Sequence, residues 1–115
     1  MSLSKEEISS NNFSWSNFLN WGTLYRGYNA GVALLVTYQY LTNPEAAFIE
    51  HVPDILIHAA EAIIPNQWSQ IAIVANVGRA SQAAYGFFSG NSTIPSVANV
   101  VDVGNHLLNT VHRLS

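Results

Sequence analysis

Proline is absent before Pro44, and the remaining three stand at Pro53, Pro65 and Pro95. A proline inside a helix removes a backbone donor and clashes with the preceding turn, so these positions punctuate any helical chain. They leave stretches of about 20 residues, a length that suits helices better than strands. Within the first stretch Trp15, Phe18, Leu19, Trp21, Leu24, Tyr25 and Tyr28 recur at three- and four-residue steps. No stretch alternates apolar and polar residues with period two over its length, and no Asn-Gly or Asp-Gly hairpin signal occurs. The sequence therefore predicts an all-α antiparallel bundle of four or five helices. Their expected bounds are 14–42, 44–64 with a kink at Pro53, 66–89 and 94–114. Asn43 is placed to cap the second helix with Pro44 in its first turn, and Gly90 to stop the third. Residues 1–13 read as a flexible polar lead and 14–115 as one domain, with no internal repeat evident.

Charge is the scarce commodity. Charged residues make up 10% of the chain, against about 25% in an ordinary soluble domain. The net charge is −3, and Lys5, Arg26, Arg79 and Arg113 are scattered. Phosphate backbones need clustered cations, so nucleic acid is not an expected partner. Without cysteine there is no disulfide, thiol chemistry or Cys-ligated metal. The opening "MSLSKEEISSNNF" lacks the apolar core of a secretory signal peptide. The longest apolar runs fall short of the roughly 20 residues that a bilayer span needs. A cytoplasmic setting is the expectation.

The most site-like stretch is "EHVPDILIHAAE". On a helix Glu50, Asp54, His58 and Glu61 share one face, with His51 at its edge. Carboxylates and imidazoles on one stripe can ligate a divalent metal, or support a small bundle enzyme. The opposite face carries Phe48, Val52, Ile55, Leu56, Ala59 and Ile63, so the plainer reading is a solvated polar face over a buried apolar one. The third helix has Trp68, Ile71, Val74, Ala75, Gly78, Tyr85 and Phe88 as its expected inner stripe. The last has Val97, Val100, Val101, Gly104, Leu107, Leu108, Val111 and Leu114, with Asp102, His106, Asn109 and Arg113 opposite. Asp102 and His106 are spaced to pair, and His112 and Arg113 to meet the helix dipole. No nucleophile elbow, S-x-x-K motif or phosphate loop occurs, so no catalytic residue, metal or cofactor is expected. Gly27 and Gly31 on the first helix, with Gly78 and Gly86 on the third, read as thin spots for tight helix packing.

Apolar side chains point in every direction between Val32 and Leu41, and again over residues 71–77. A small bundle has no central helix to hide such surfaces, so the surplus predicts a partner surface. Tyr38, Tyr40 and Leu41 on the first helix and Trp68, Ile71 and Ile73 on the third are its candidate residues. In its Asn/Ser/His-rich helices with few charges, the chain resembles the small all-helical regulators that intracellular bacterial pathogens secrete through type IV systems. Some of those bind and inhibit other effector enzymes. The resemblance implies a non-catalytic regulator acting by protein binding. The surplus apolar surface adds self-association as a homodimer. A membrane-associated helical protein is the alternative, disfavoured because its apolar faces lack flanking Lys and Arg.

Overall fold

A computed structural model describes residues 20–115, and over that range the chain is an all-α bundle of four helices. They are α1 Trp21–Thr42, α2 Phe48–Ile63, α3 Ser69–Ser89 and α4 Ser96–Leu114, with a single 3-10 turn at Asn66–Trp68. The lead over 1–13, and the part of the first helix expected over 14–19, lie outside the described residues. Asn20 caps α1 by accepting from the Thr23 N–H at 2.9 Å. Gly90, at φ 73, takes the left-handed conformation that ends α3.

The Asn43-Pro44 boundary falls where expected but works differently. Asn43 is the C-cap of α1, and its side chain accepts from the Glu45 N–H in a turn. α2 starts only at Phe48. Pro53 then sits inside α2 without splitting it. Proline has no N–H, so the Ile49 carbonyl loses its helical donor. Gln82 of α3 supplies the replacement, its Nε2 donating to Ile49 O at 2.7 Å. Glu50, in the first turn of α2, accepts from the Ser92 hydroxyl and from Thr93 through both backbone and hydroxyl. That ties the α3–α4 connection to the start of α2.

The faces are reversed relative to expectation. Asp54, His58 and Glu61 are buried, while Phe48, Leu56, Ala59 and Ile63 are exposed. In α3 the buried residues are Ala72, Asn76, Arg79, Ala80, Ala83 and Gly86, and of the expected stripe only Ala75 is even half-buried. In α4 the whole expected seam from Val97 to Leu114 is exposed, while Asn99, Asp102, His106, Asn109 and Arg113 face inward. The physical reason is that each stripe pairs with its equals. Most polar groups of the four helices hydrogen-bond one another, so few buried polar atoms are left without a partner, and the apolar faces are left outside. Gly27, Gly31 and Gly78 point outward as well. Among the described residues nothing lies within 4 Å of a Cβ added at any of them, so they are not packing sites within the described part of the chain. Gly86 is one, since a Cβ there would meet Ser92 Cβ at 3.1 Å.

The packing also exposes an internal repeat that the sequence alone did not suggest. α1 packs with α2 and α3 with α4, so the bundle is two helical hairpins. Trp21, Asn29, Gly31, Ala33 and Tyr38 recur 47 positions later as Trp68, Asn76, Gly78, Ala80 and Tyr85. In the second helices Val52, Asp54 and His58 recur 48 positions later as Val100, Asp102 and His106. Removing the Gln82 side chain as Gln82→Ala should cost about 1 kcal/mol, the worth of an ordinary hydrogen bond. In a Pro53→Ala background, where residue 53 regains its N–H, the same change should cost much less. Urea unfolding of the four proteins of this double-mutant cycle measures the difference.

Candidate functional site

The interior is a hydrogen-bonded polar core. Asn29 of α1 and Asn76 of α3, both fully buried, stand at its centre. Asn29 Nδ2 donates to the Tyr25 carbonyl at 2.9 Å and to Asn109 Oδ1 at 3.0 Å. Asn76 Nδ2 donates in the same way to the Ala72 carbonyl at 2.8 Å and to Glu61 Oε2 at 2.6 Å. These acceptors fix which end of each carboxamide is oxygen. Both oxygens therefore accept, Asn29 Oδ1 from His58 Nδ1 at 2.6 Å and Asn76 Oδ1 from His106 Nδ1 at 2.7 Å. Asn109 Nδ2 bridges the two by donating to both oxygens. The bonds of one hairpin thus repeat in the other, with Glu61 and Asn109 in equivalent places.

Both imidazoles consequently carry a proton on Nδ1 and turn Nε2 to the bundle centre. His106 Nε2 lies 2.5 Å from Asp54 Oδ1. His58 Nε2 lies 3.5 Å from the same oxygen and makes no hydrogen bond. Arg79 is buried between two carboxylates, with Nε 3.6 Å from Asp54 and a terminal nitrogen 3.1 Å from Asp102. Below this level Arg113 closes on Glu61 at 2.6 Å and donates to the Ile64 and Pro65 carbonyls at the end of α2. So Asp102 and His106, spaced to pair with each other, each choose a partner on another helix. Arg113 also turns into the core, not to its own helix end. Its neighbour His112 accepts from Trp21 Nε1 and stacks on Tyr25 with ring centroids 3.6 Å apart.

Burial dominates the electrostatics. It would raise the Asp54 carboxyl, but the hydrogen bond from His106 and the Arg79 charge reverse that and hold it well below the usual range. Burial, with the neighbouring Asp54 charge, pushes Asp102 up to about 6 despite Arg79. Burial also lowers His106. The chemistry available is that of a closed network with one unpartnered imidazole nitrogen. Among the described residues, Asp54, His58 and His106 bring metal-ligating atoms together, all within 4.8 Å. Of the face expected from the sequence, Glu50 and Glu61 stand apart from this cluster, each held by the bonds described.

The candidate interface residues are on the surface but do not form one patch. Tyr38, Leu41, Trp68 and Ile71 are exposed, while Tyr40 and Ile73 are half-buried, Tyr40 with its ring centroid 5.6 Å from that of His51. Tyr38, Tyr40 and Leu41 close α1, whereas Trp68, Ile71 and Ile73 open α3, at the other end of the bundle. Comparison with protein-family models, curated proteins and solved structures finds no match to this chain.

Two outcomes follow from the core. Arg113→Met should destabilise by about 3–5 kcal/mol, because it leaves Glu61 buried without its counter-ion. Adding Glu61→Gln should recover a large part of that, as read by denaturant midpoints. For Asp102, the raised folded value means its contribution is fully present below the unfolded value of 3.8 and is lost as pH rises through about 6. The stability of Asp102→Asn relative to wild type should therefore rise between about pH 4 and about pH 7.5 in matched unfolding curves.

Proposed function

We propose that this protein is a non-catalytic assembly module whose apolar exterior is covered by other protein chains, further copies of itself included. The observation that carries this reading is the inverted distribution of side chains. Of the eight charged residues described, five are buried and only Glu45 is exposed. Leu34, Leu35, Tyr38, Leu56, Ile71, Val74, Val97, Val101, Leu107 and Val111 instead line the outside of all four helices. Contiguous apolar surface beyond a few hundred Å² is rare on a soluble monomer and marks an interaction face. A single dimer contact covers one side, so this exterior favours several neighbours around each bundle. The outward glycines Gly27, Gly31, Gly78 and Gly104 add shallow notches where a neighbour's helix can approach closely. Helix hydroxyls are already satisfied by their own backbone, as Thr37, Thr42, Ser81 and Thr110 each donate to the carbonyl four residues before. Their burial against a partner therefore adds no unmet polar group. A partner enzyme held on this surface would be regulated by occupancy, as the resemblance to secreted effector regulators suggests.

Lipid is the second reading, favoured by one observation. Trp21 and Trp68 sit at one end of the bundle and Tyr38, Tyr85, Phe87 and Phe88 at the other, with mainly aliphatic side chains between. Aromatic belts of this kind occur at membrane interfaces. Among the described residues no helix is long and apolar enough to cross a membrane. Each helix carries its polar stripe inward, which lowers its average hydropathy.

Sedimentation of the full chain in detergent-free buffer should show a defined oligomer. Leu34→Lys with Val74→Lys, or Tyr38→Asp alone, should shift it at least several-fold toward monomer with helicity unchanged. A monodisperse monomer at high concentration would overturn the proposal. A protein that stays dispersed only with detergent, and floats with neutral and anionic vesicles alike, would transfer it to lipid.

A further inference from the structure

We propose that Asp54, His58 and His106 bind a borderline divalent cation such as Zn²⁺ at the centre of the bundle. This rests on the interior alone and is independent of what covers the exterior. The donor set is two imidazole nitrogens and one carboxylate oxygen, a combination that suits zinc and its neighbours.

The tautomers point the same way. His58 and His106 each donate Nδ1–H to a carboxamide oxygen, Asn29 and Asn76 respectively. Metal-bound histidines are held in this manner, because a bond from the second ring nitrogen orients the ring and raises its basicity. What remains on each ring is Nε2, and both face Asp54 Oδ1. His58 is fully buried, and its Nε2 has no hydrogen-bond partner. A buried lone pair without a donor is costly, and a cation satisfies it. In a tetrahedral site with bonds of roughly 2.0–2.1 Å, donor atoms stand about 3.3 Å apart. His58 Nε2 and Asp54 Oδ1, at 3.5 Å, already meet that spacing. His106 Nε2, at 2.5 Å, has to draw back by less than 1 Å.

Charge balance agrees. Glu61 and Arg113 neutralise each other. The centre is left with Asp54 and Asp102 against the single cation Arg79. One negative charge is unmatched, so the centre attracts either a proton on His106 or a metal ion. The proton satisfies the Asp54–His106 contact but does nothing for His58, whereas a metal ion satisfies all three groups.

The test uses the full chain with any affinity tag removed, stripped with chelator and then titrated with Zn²⁺ or Co²⁺. One equivalent per chain is expected, with the visible absorption of tetrahedral Co²⁺. His58→Ala and His106→Ala should each weaken binding at least ten-fold, while His51→Ala, which changes a histidine outside the set, should not. X-ray absorption of the zinc-loaded wild type should show two imidazole nitrogens and a carboxylate oxygen, a readout that survives if the variants fail to fold. Absence of stoichiometric binding by the wild type would overturn the proposal. So would affinity unchanged in both variants, or a coordination shell without imidazole.

Discussion

The carboxamides of Asn29 and Asn76 are what the rest of the structure depends on. Each uses its amide to tie down a carbonyl one turn back in its own helix and a group on another helix. Each uses its oxygen to orient a histidine of its own hairpin. Asn109 then joins the two oxygens, so that α1, α2, α3 and α4 meet in one connected set of bonds. A buried amide that lost one of these partners would cost about 1–3 kcal/mol, more than the net gain from making an average bond. Register is therefore enforced more by the penalty for misalignment than by attraction. A helix that slides by one turn orphans several groups at once.

A core of this kind has little hydrophobic driving force of its own. Its buried apolar residues are Tyr25, Ala33, Val36, Ala72, Ala80 and Ala83, mostly small. The large aliphatic and aromatic side chains are outside, so burial of their area becomes available only when something else covers them. Under the proposed assembly, folding of the bundle and coverage of its exterior are one process. On the proposed reading, the buried network supplies specificity and the covering chains supply most of the apolar burial.

Much of the architecture is legible in the sequence. Breaker spacing places all four helices, and Gly90 ends α3 as its position suggests. Surplus apolar surface is also readable from residues 32–41 and 71–77. What periodicity cannot reveal is the sign of an amphipathic face. It separates Asp54, His58 and Glu61 from Leu56 and Ile63, but it does not say which side is in. The usual assumption that charge faces water inverted α2, α3 and α4 together. A better clue was present in Asn99, Asp102, His106, Asn109 and Arg113, which keep a three-four spacing over the length of α4. Such a strict polar seam is what an inner contact requires, whereas a solvated face tolerates any order. The repeat was hidden for a related reason, since it is carried by a few inward polar residues and not by a continuous motif. The cluster of Asp54 and His58 with His106 needed the fold, because its members lie 52 residues apart in the chain.

The two hairpins repeat one plan, and the departure from that plan shapes the centre. The second helix of each hairpin presents an Asp and a His one turn apart, Asp54 with His58 and Asp102 with His106. A strictly symmetric core would pair each aspartate with the opposite histidine, and Asp54 with His106 follows that rule. Asp102 does not, because Arg79 draws it away. The equivalent position in the first hairpin is Val32, which has no charge to exert the same pull. His58 is thereby left without the carboxylate that symmetry would provide. One arginine thus converts two equivalent pairs into one satisfied pair and one unpartnered imidazole, and the proposed metal site rests on that asymmetry.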